Sequence, residues 1–444
     1  MKSLPLLALL AVSACTVGPD YEQPTIALNA GFAEGGTTPA ADLARQRWWR
    51  GYGDTVLNGL VERGLDRNLD IQSAVAAVRA AEAAARAAGV ASDVTGTLSA
   101  GATRSGGDGI ATSDSRTAGF SPSLVIDLFG GSRRSREAAV ANLDAAALGV
   151  GEARLAFLSA LVGYYIDARY YQEAMAVTRQ SIGLTQETLG LVRDKRDLGT
   201  ATDLDVARAE ATLSTARASL PTLEANFYGA TYAIATLLAE PVQTFKTALE
   251  KGAAQPLPTG KTSVGVPADL LRNRPDVRVA ERRYAAAVAA VGVSEAEMYP
   301  ALSLGGTISA TDGNGSWSFG PALTLPVLSQ PLLAANRDKA RAEAEQSRIA
   351  WKASVLDAVE EVQTAQSTYL RTQRSLAAQR ASVTSYQRVL SLSQETFDLG
   401  TTDAMDLLDT QQSLLTARLS AASARRDLAS GWASLQVAAG AGWQ

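Results

Sequence analysis

Histidine is absent from the 444 residues, and cysteine occurs once, at position 15. Without these groups the chain can build no Cys/His zinc site, no Ser-His-Asp triad and no Cys-His pair. A disulfide within the chain is likewise excluded. Only Asp, Glu, Lys and Tyr chemistry would remain for an enzyme, and no pocket-forming α/β pattern holds those residues. The sequence therefore reads as no enzyme, with no cofactor, no metal site and no catalytic residue. A net charge of −4 and a pI near 5.3 argue against nucleic acid as the main partner. Aromatic residues make up 6% of the chain, and no run of about 20 apolar residues occurs beyond the N-terminus, so no conventional helical membrane span is expected. A length of 444 would suggest two or three ordinary domains, a prior that fails for long helical or repeat architectures.

The one cysteine sits at a telling place. Met1-Lys2 supplies a positive charge and Leu4 to Val12 is an apolar run of signal-peptide length, ending in Val12-Ser13-Ala14-Cys15. That ending resembles the lipobox of bacterial lipoproteins, in which cleavage leaves the cysteine as an acylated N-terminus. Cys15 is therefore the expected lipidation site, and Thr16 after it favours the outer membrane. An incidental cysteine behind a secretory signal is the plainer alternative.

The chain also repeats itself. The stretch from Arg196 to Ser219 aligns without gaps to Phe397–Ser420, an offset of 201, with Leu198/Leu399, Gly199/Gly400, Thr200/Thr401 and Asp205/Asp406 among the shared pairs. After each Leu-Gly-Thr turn come heptads: Val206, Leu213, Leu220, Phe227 and Ile234 in the first copy, Leu407, Leu414, Ala421, Leu428 and Leu435 in the second. A sustained seven-residue period favours coiled-coil packing. The preceding Ala-rich segments, about 132–197 and 332–398, each reach on the order of 100 Å if helical. Pro221 predicts a kink or break in the first heptad helix.

Four stretches alternate with period two instead. The clearest sets Leu302, Leu304, Gly306, Ile308 and Ala310 against Ser303, Gly305, Thr307, Ser309 and Thr311. The next sets Trp317, Phe319, Pro321, Leu323 and Leu325 against small polar residues, while Val94–Thr103 and Phe120–Leu128 alternate more weakly. Loops at Ser105 ("SGGDG") and Thr311 ("TDGNG") join each pair. One apolar and one polar face fits a soluble half-buried sheet or a membrane barrel wall, and a length near ten residues suits a tilted span. Four strands cannot close a barrel and an open edge cannot sit in lipid, so spanning strands demand several chains per barrel.

These features resemble the outer membrane factor (TolC-like) family, in its lipoprotein branch of NodT-type outer membrane efflux proteins serving RND multidrug pumps. "CTVGPDYEQP" from Cys15, "WWRGYGDTVLNGLVERGLDRNLDIQSA" from Trp48, "DLFGGSRR" from Asp127, "VPADLLRNRPDVRVAERR" from Val266 and the terminal "GAGW" carry the resemblance across the mature chain. It implies a mixed α and β fold: a homotrimer in which four strands per chain make one outer membrane β-barrel, continuous with a long periplasmic α-helical barrel and an equatorial domain. The expected organisation is a signal peptide over 1–14, a lipidated extended segment over 15–47, a first repeat over 48–240 with its hairpin at 94–129, an equatorial linker over 241–272, and a second repeat over 273–444 with its hairpin at 301–328. The implied function is a passive exit duct for drugs and small molecules across periplasm and outer membrane. A periplasmic adaptor (membrane fusion) protein, an inner-membrane RND-type pump and outer membrane lipid are the implied partners. Gly96 departs from the family's pattern, which often has Pro there.

The same resemblance marks a periplasmic gate at Asp406 and Asp409, two acids on one helix face, with Met405 as their apolar neighbour. The alternative is that these acids only complement the helix dipole, which is the better account of Asp205. Arg193, Leu198, Gly199 and Thr200 with Leu399, Gly400 and Thr401 are the adaptor-docking candidates, although helix C-capping explains the glycines by itself. Trp48 and Trp49 read as core packing, and Pro122, Pro321 and Pro326 as shaping the passage from strand to helix. A type I protein-secretion duct and a structural envelope lipoprotein remain the competing functions. The alternating strands oppose the second of these, since a strut needs no lipid-compatible sheet.

Overall fold

A computed structural model describes residues 16–35, 38–40, 42–90, 94–259 and 264–444. The signal segment and Cys15 lie outside the described residues. The order of elements repeats: α1 (Thr55–Arg67), α2 (Leu69–Val90), β1 (Val94–Gly107), β2 (Ile110–Ile126), α3 (Gly131–Asp197) and α4 (Asp203–Leu238) are followed, after the short α5 (Lys246–Glu250), by α6 (Pro267–Asn273), α7 (Pro275–Ala296), β3 (Ala301–Thr311), β4 (Asn314–Thr324), α8 (Gln330–Asp398) and α9 (Ala404–Ala438). The long helices α3 and α8 have 67 and 69 residues. Pro275 opens α7 at a helix's first position, where its missing N–H has no partner to lose.

All four strands form one antiparallel sheet in the order β1-β2-β3-β4, so β1 and β4 carry unpaired edges. Its register sorts the side chains by chemistry. Leu98, Phe120, Ile308 and Trp317 stand in one row across the sheet, and Val94, Leu124, Leu304 and Pro321 in another. This face is bare of protein: Leu98 is 80% and Trp317 77% exposed. The opposite face carries rows such as Ser99, Gly119, Ser309 and Ser316. Two glycines on the apolar face lie beneath aromatic rings, Gly96 under Phe120 and Gly306 under Phe319, where a Cβ at Gly306 would clash with the ring. Ring over glycine fills the space that a side chain would otherwise occupy.

The hairpins run further than the alternating pattern suggests. Residues 104–107 and 110–119 are strand, and the connection shrinks to Asp108-Gly109. Likewise Asp312 and Gly313, both at positive φ (52° and 89°), make a two-residue turn in place of a five-residue loop. The tip ladders pair polar residues, Ser105 with Ser113 and Arg104 with Asp114, so no apolar period marks them. Pro122 and Pro321 fall inside β2 and β4, not at the passage to helix; only Pro326 lies in such a connection. Pro122 has no N–H to donate, and pairing with β3 lapses between Phe120 and Ser123.

Pro221 does not break its helix. α4 runs unbroken from Asp203 to Leu238 with the proline exposed, because Val206, Ala209, Leu213, Ala216, Phe227 and Ala230 hold the buried face on both sides of it. α3 is long and apolar enough to cross a membrane by length and composition, a property that core helices share. Its Leu158, Leu161, Val162 and Ile166 are fully buried, and the buried Arg169 is on the same helix. It is thus a core helix at that stretch.

The chain divides into two compact units, one of residues through Ala27, Ala74–Val150 and Pro275–Val355, the other of Leu28–Ser73, Gly151–Arg274 and Leu356–Gln444. In the second unit three conspicuous motifs converge. Trp48 packs edge-on to Trp49, Tyr52 and Trp432, so the tryptophan pair is core as expected. The Trp48 indole donates to the Ala441 carbonyl at 3.1 Å, and the Trp443 indole donates to Asn273 at 2.6 Å. Gly442, at φ +91°, brings its backbone so close to Trp48 that a Cβ would sit 2.9 Å from the ring. Deeper in this unit Arg169, 1% exposed, donates to the Tyr165 hydroxyl and the Leu249 carbonyl. Tyr165 in turn donates to Asp54 at 2.5 Å, and burial with this carboxylate pushes the phenol above its ordinary range.

The contrast between two glycines tests this packing. A methyl group added at Gly53, at φ +66°, would meet nothing within 4 Å, so Gly53→Ala is expected to cost only the backbone strain of about 1–2 kcal/mol. Gly442→Ala adds overpacking against Trp48 of roughly 1–3 kcal/mol. Thermal unfolding of the two variants side by side should show the larger loss at Gly442.

Candidate functional site

Both long helices end in the same turn. Thr200 N–H donates to the Lys195 carbonyl at 2.8 Å and Gly199 N–H to Arg196 at 2.9 Å; Thr401 N–H donates to Thr396 at 3.0 Å and Gly400 N–H to Phe397 at 3.1 Å. Gly199 and Gly400 are at φ +77° and +73°. This pair of bonds is the Schellman closure, which satisfies the last carbonyls and needs a left-handed residue. C-capping thus accounts for the glycines. It leaves Leu198 and Leu399 unexplained, since they are 79% and 72% exposed at the two turns.

The turns are held together by what lies behind them. Leu189, Val192, Val206, Leu213, Phe397, Leu407 and Leu408 make one buried cluster, with Met405 half-buried against it. The Lys195 ammonium lies 3.6 Å from the Phe397 ring centroid and donates to the Phe397 carbonyl at 2.9 Å. It joins the end of α3 to the end of α8. Arg193 pairs with Glu210 at 2.6 Å on the exposed surface.

Where the repeats part company is the charge that follows each turn. In the first copy Thr202 caps α4: its hydroxyl accepts from Asp205 N–H, and the Asp205 carboxylate accepts from Thr202 N–H at 2.9 Å and from its hydroxyl at 2.7 Å. These bonds hold the Asp205 carboxyl below its usual range. In the second copy the positions 201 residues on hold Asp403, Asp406 and Asp409 where the first has Thr202, Asp205 and Arg208. Asp403 caps α9 by accepting from Asp406 N–H at 3.0 Å. The carboxylates of Asp406 and Asp409 are exposed and meet no partner among the described residues. One repeat is closed upon itself, and the other presents a bare acidic stripe. The sequence pattern did not single out Asp403, although the repeat offset maps it onto a capping threonine.

The first unit contains the segment that follows Cys15. Arg134, 4% exposed, donates to the Val17 and Gly18 carbonyls at 3.2 Å each and to Asp20 at 2.7 Å. Arg133 donates to the Thr16 hydroxyl at 2.7 Å, and Val17 N–H donates to Phe129 at 3.0 Å. Gly18, at φ +87°, lies so near Gly292 that a Cβ would stand 2.5 Å from its Cα. The "TVGPDY" and "DLFGGSRR" stretches are two halves of one lock. It sits at the turn between β2 and α3, where the apolar face of the sheet ends.

A sheet with one lipid-compatible face, carried on the same chain as helices of this length, defines a channel-forming outer membrane protein. The chain matches the outer membrane efflux protein family over residues 60–240 and 266–441, and it belongs to that family. Nodulation protein T of Rhizobium leguminosarum bv. trifolii is 37% identical over 99% of this chain and 97% of its own length. The pyoverdine export outer membrane protein OpmQ of Pseudomonas aeruginosa is 29% identical over 100% of this chain and 98% of its own. Among solved structures the outer-membrane channel OprN superposes with a TM-score of 0.87 at 30% identity, over 97% of this chain and 100% of that one. CusC, at 22% identity and a TM-score of 0.84, is similar in fold. The fold is that of the trimeric outer membrane channels. The protein is an outer membrane efflux channel extending into the periplasm, and not an enzyme.

Two measurements follow from these contacts. Arg134→Ala removes a charged donor from the Thr16–Tyr21 segment, a loss of about 1.5–3 kcal/mol of local stability. Amide exchange over residues 17–21 should then accelerate on the order of ten- to hundredfold, with the sheet unchanged. The second concerns pH. Because Asp205 has a depressed pKa, its contribution to α4 is present above the ordinary carboxylate range and is lost as pH falls through its folded value. Thr202→Val should return Asp205 toward the ordinary range in a carboxyl-resolved NMR titration.

Proposed function

We propose that three copies of this chain close a single twelve-stranded barrel and that the assembly is the passive exit duct of a tripartite efflux system. A periplasmic adaptor and an inner-membrane RND-type pump supply its energy and its opening. The observation that carries this reading is the four-stranded sheet with one apolar face and two unpaired edges, which lipid tolerates only when copies complete each other's ladders. Closed point-group symmetry makes the copies equivalent. Small exported molecules are the substrate class. The names of two relatives, a pyoverdine exporter and the toluene efflux pump protein of Pseudomonas putida, are consistent with it.

In this reading Cys15 carries acyl chains, which bury about 0.8 kcal/mol per CH₂ in the membrane. The segment 15–47 then leads from the anchor, and 241–272 serves as an equatorial linker between the repeats. Asp406 and Asp409 of each copy face the axis at the periplasmic end and form rings of carboxylates, with Met405 beside them. Like charges brought together repel, so the rings select cations and separate readily once an adaptor draws the helix ends apart. The unpartnered state of both carboxylates supports this over a dipole role, which Asp403 and Asp205 already fill. Leu198 and Leu399, with Gly199, Thr200, Gly400 and Thr401, offer the adaptor two matching exposed turns. Arg193, held by Glu210, flanks the first.

Planar-bilayer recordings test the gate. Asp406→Asn with Asp409→Asn should move the reversal potential of a salt gradient toward zero and flatten any block by divalent cations. An unchanged reversal potential would remove these residues from the pore. Labelling cells with tritiated palmitate should mark the wild-type protein and leave Cys15→Ala unlabelled.

A further inference from the structure

The register of the sheet sorts charge as well as polarity. The charged residues of the four strands are Arg104, Asp114 and Arg116. Arg104 pairs with Asp114 and Ala102 with Arg116, in the same unbroken ladder that pairs Leu98 with Phe120. Along each strand an even step separates these charges from Leu98 or Phe120, so all three stand on the apolar face. They lie beyond its apolar rows, toward the hairpin tip, where a charge on the lipid side costs little. The opposite face is built of Ser, Thr, Gly and Ala, with Val125 and Asn314 near its ends.

Hydroxyl groups have no preferred sign. A Ser or Thr hydroxyl donates or accepts as its rotor turns, so it meets an ammonium and a carboxylate equally well. On this wall the hydroxyls also satisfy their neighbours: the Ser309 and Ser316 oxygens are 2.9 Å apart, and Ser99 donates to the Gly119 carbonyl at 3.4 Å. The remaining acids of the hairpins, Asp108 and Asp312, are in the turns. Asp312 accepts from the Arg116 N–H at 2.6 Å and from the Ser115 hydroxyl at 3.2 Å. Ser318 pairs with Thr307, which lies about 17 Å from Asp312 at roughly 3.4 Å per strand residue. That exceeds the screening length of about 8 Å at physiological ionic strength, so the turn acids do not set the potential at that depth.

We infer that the barrel wall does not sort its cargo by charge: anions, cations and zwitterions pass it alike, and selection by charge falls to the helical part of the duct. The inference rests on the shared barrel proposed above, which makes the polar face the inner one. A wall of hydroxyls and glycine backbone keeps water in the pore and holds no ion of either sign. The strand charges, turned to the lipid side at the outer end, are kept out of the path.

Thiol modification reads the potential at a chosen point on the wall. Ser121→Cys and Ser318→Cys each place a thiol on the polar face, and Leu98→Cys places one on the apolar face. Cells carrying each variant are treated with a cationic trimethylammonium and an anionic sulfonate methanethiosulfonate, with wild type as the background. Both polar-face thiols should react with both reagents, at a rate ratio within about threefold of that for a small free thiol. A larger bias toward either sign at both positions would overturn the inference and leave the shared barrel standing. Polar-face thiols that resist both reagents, as Leu98→Cys should in the membrane, would instead overturn the barrel. Thr307→Lys added to Ser318→Cys sets a cation beside the thiol and should shift the ratio about tenfold toward the anionic reagent. No shift there would also count against a water-filled lumen on this face.

Discussion

An unpaired strand edge cannot be left in hydrocarbon, and every other feature of this chain is arranged around that constraint. The sheet has an apolar face for lipid, a Ser/Thr/Gly face for water, and two bare edges. No rearrangement within four strands removes those edges, so completion has to come from further copies. Aromatic rings laid over Gly96 and Gly306 keep the lipid face filled where the backbone itself is bare. Small polar residues on the other face leave room for a water-filled interior.

The two repeats supply the same scaffold twice and then diverge where chemistry is needed. Matching Schellman turns end α3 and α8, and matching helices follow them. In the first copy Thr202 and Asp205 satisfy one another. The second replaces threonine and arginine by aspartates, and the Asp406 and Asp409 carboxylates have no partner among the described residues. Duplication gives geometry, and the substitutions within it supply the acids of the proposed charged ring.

Much of this was legible in the residues. Helix extents of 67 and 69 residues follow from Ala-rich segments with no proline beyond the first turn, and the apolar rows of β3 and β4 follow from strict alternation. The hairpin tips were not legible, because Arg104, Asp114, Ser105 and Ser113 are polar on both faces and produce no period. Pro221 misled for the opposite reason: a local rule was outweighed by a packed face on either side of it. The motifs "GAGW" and "CTVGPDY" could be seen but not interpreted. Their glycines are required by distant partners, Trp48 and Gly292, that only folding brings near.

The central claim, that the barrel is shared, is tested most directly by the detergent-corrected mass of protein extracted from outer membranes, for wild type and for Cys15→Ala. Three chains per particle in both is the predicted result, with the lipid acting as anchor and not as the driver of assembly. A stable, folded monomer from the membrane would contradict the account, because four strands with two open edges make no pore.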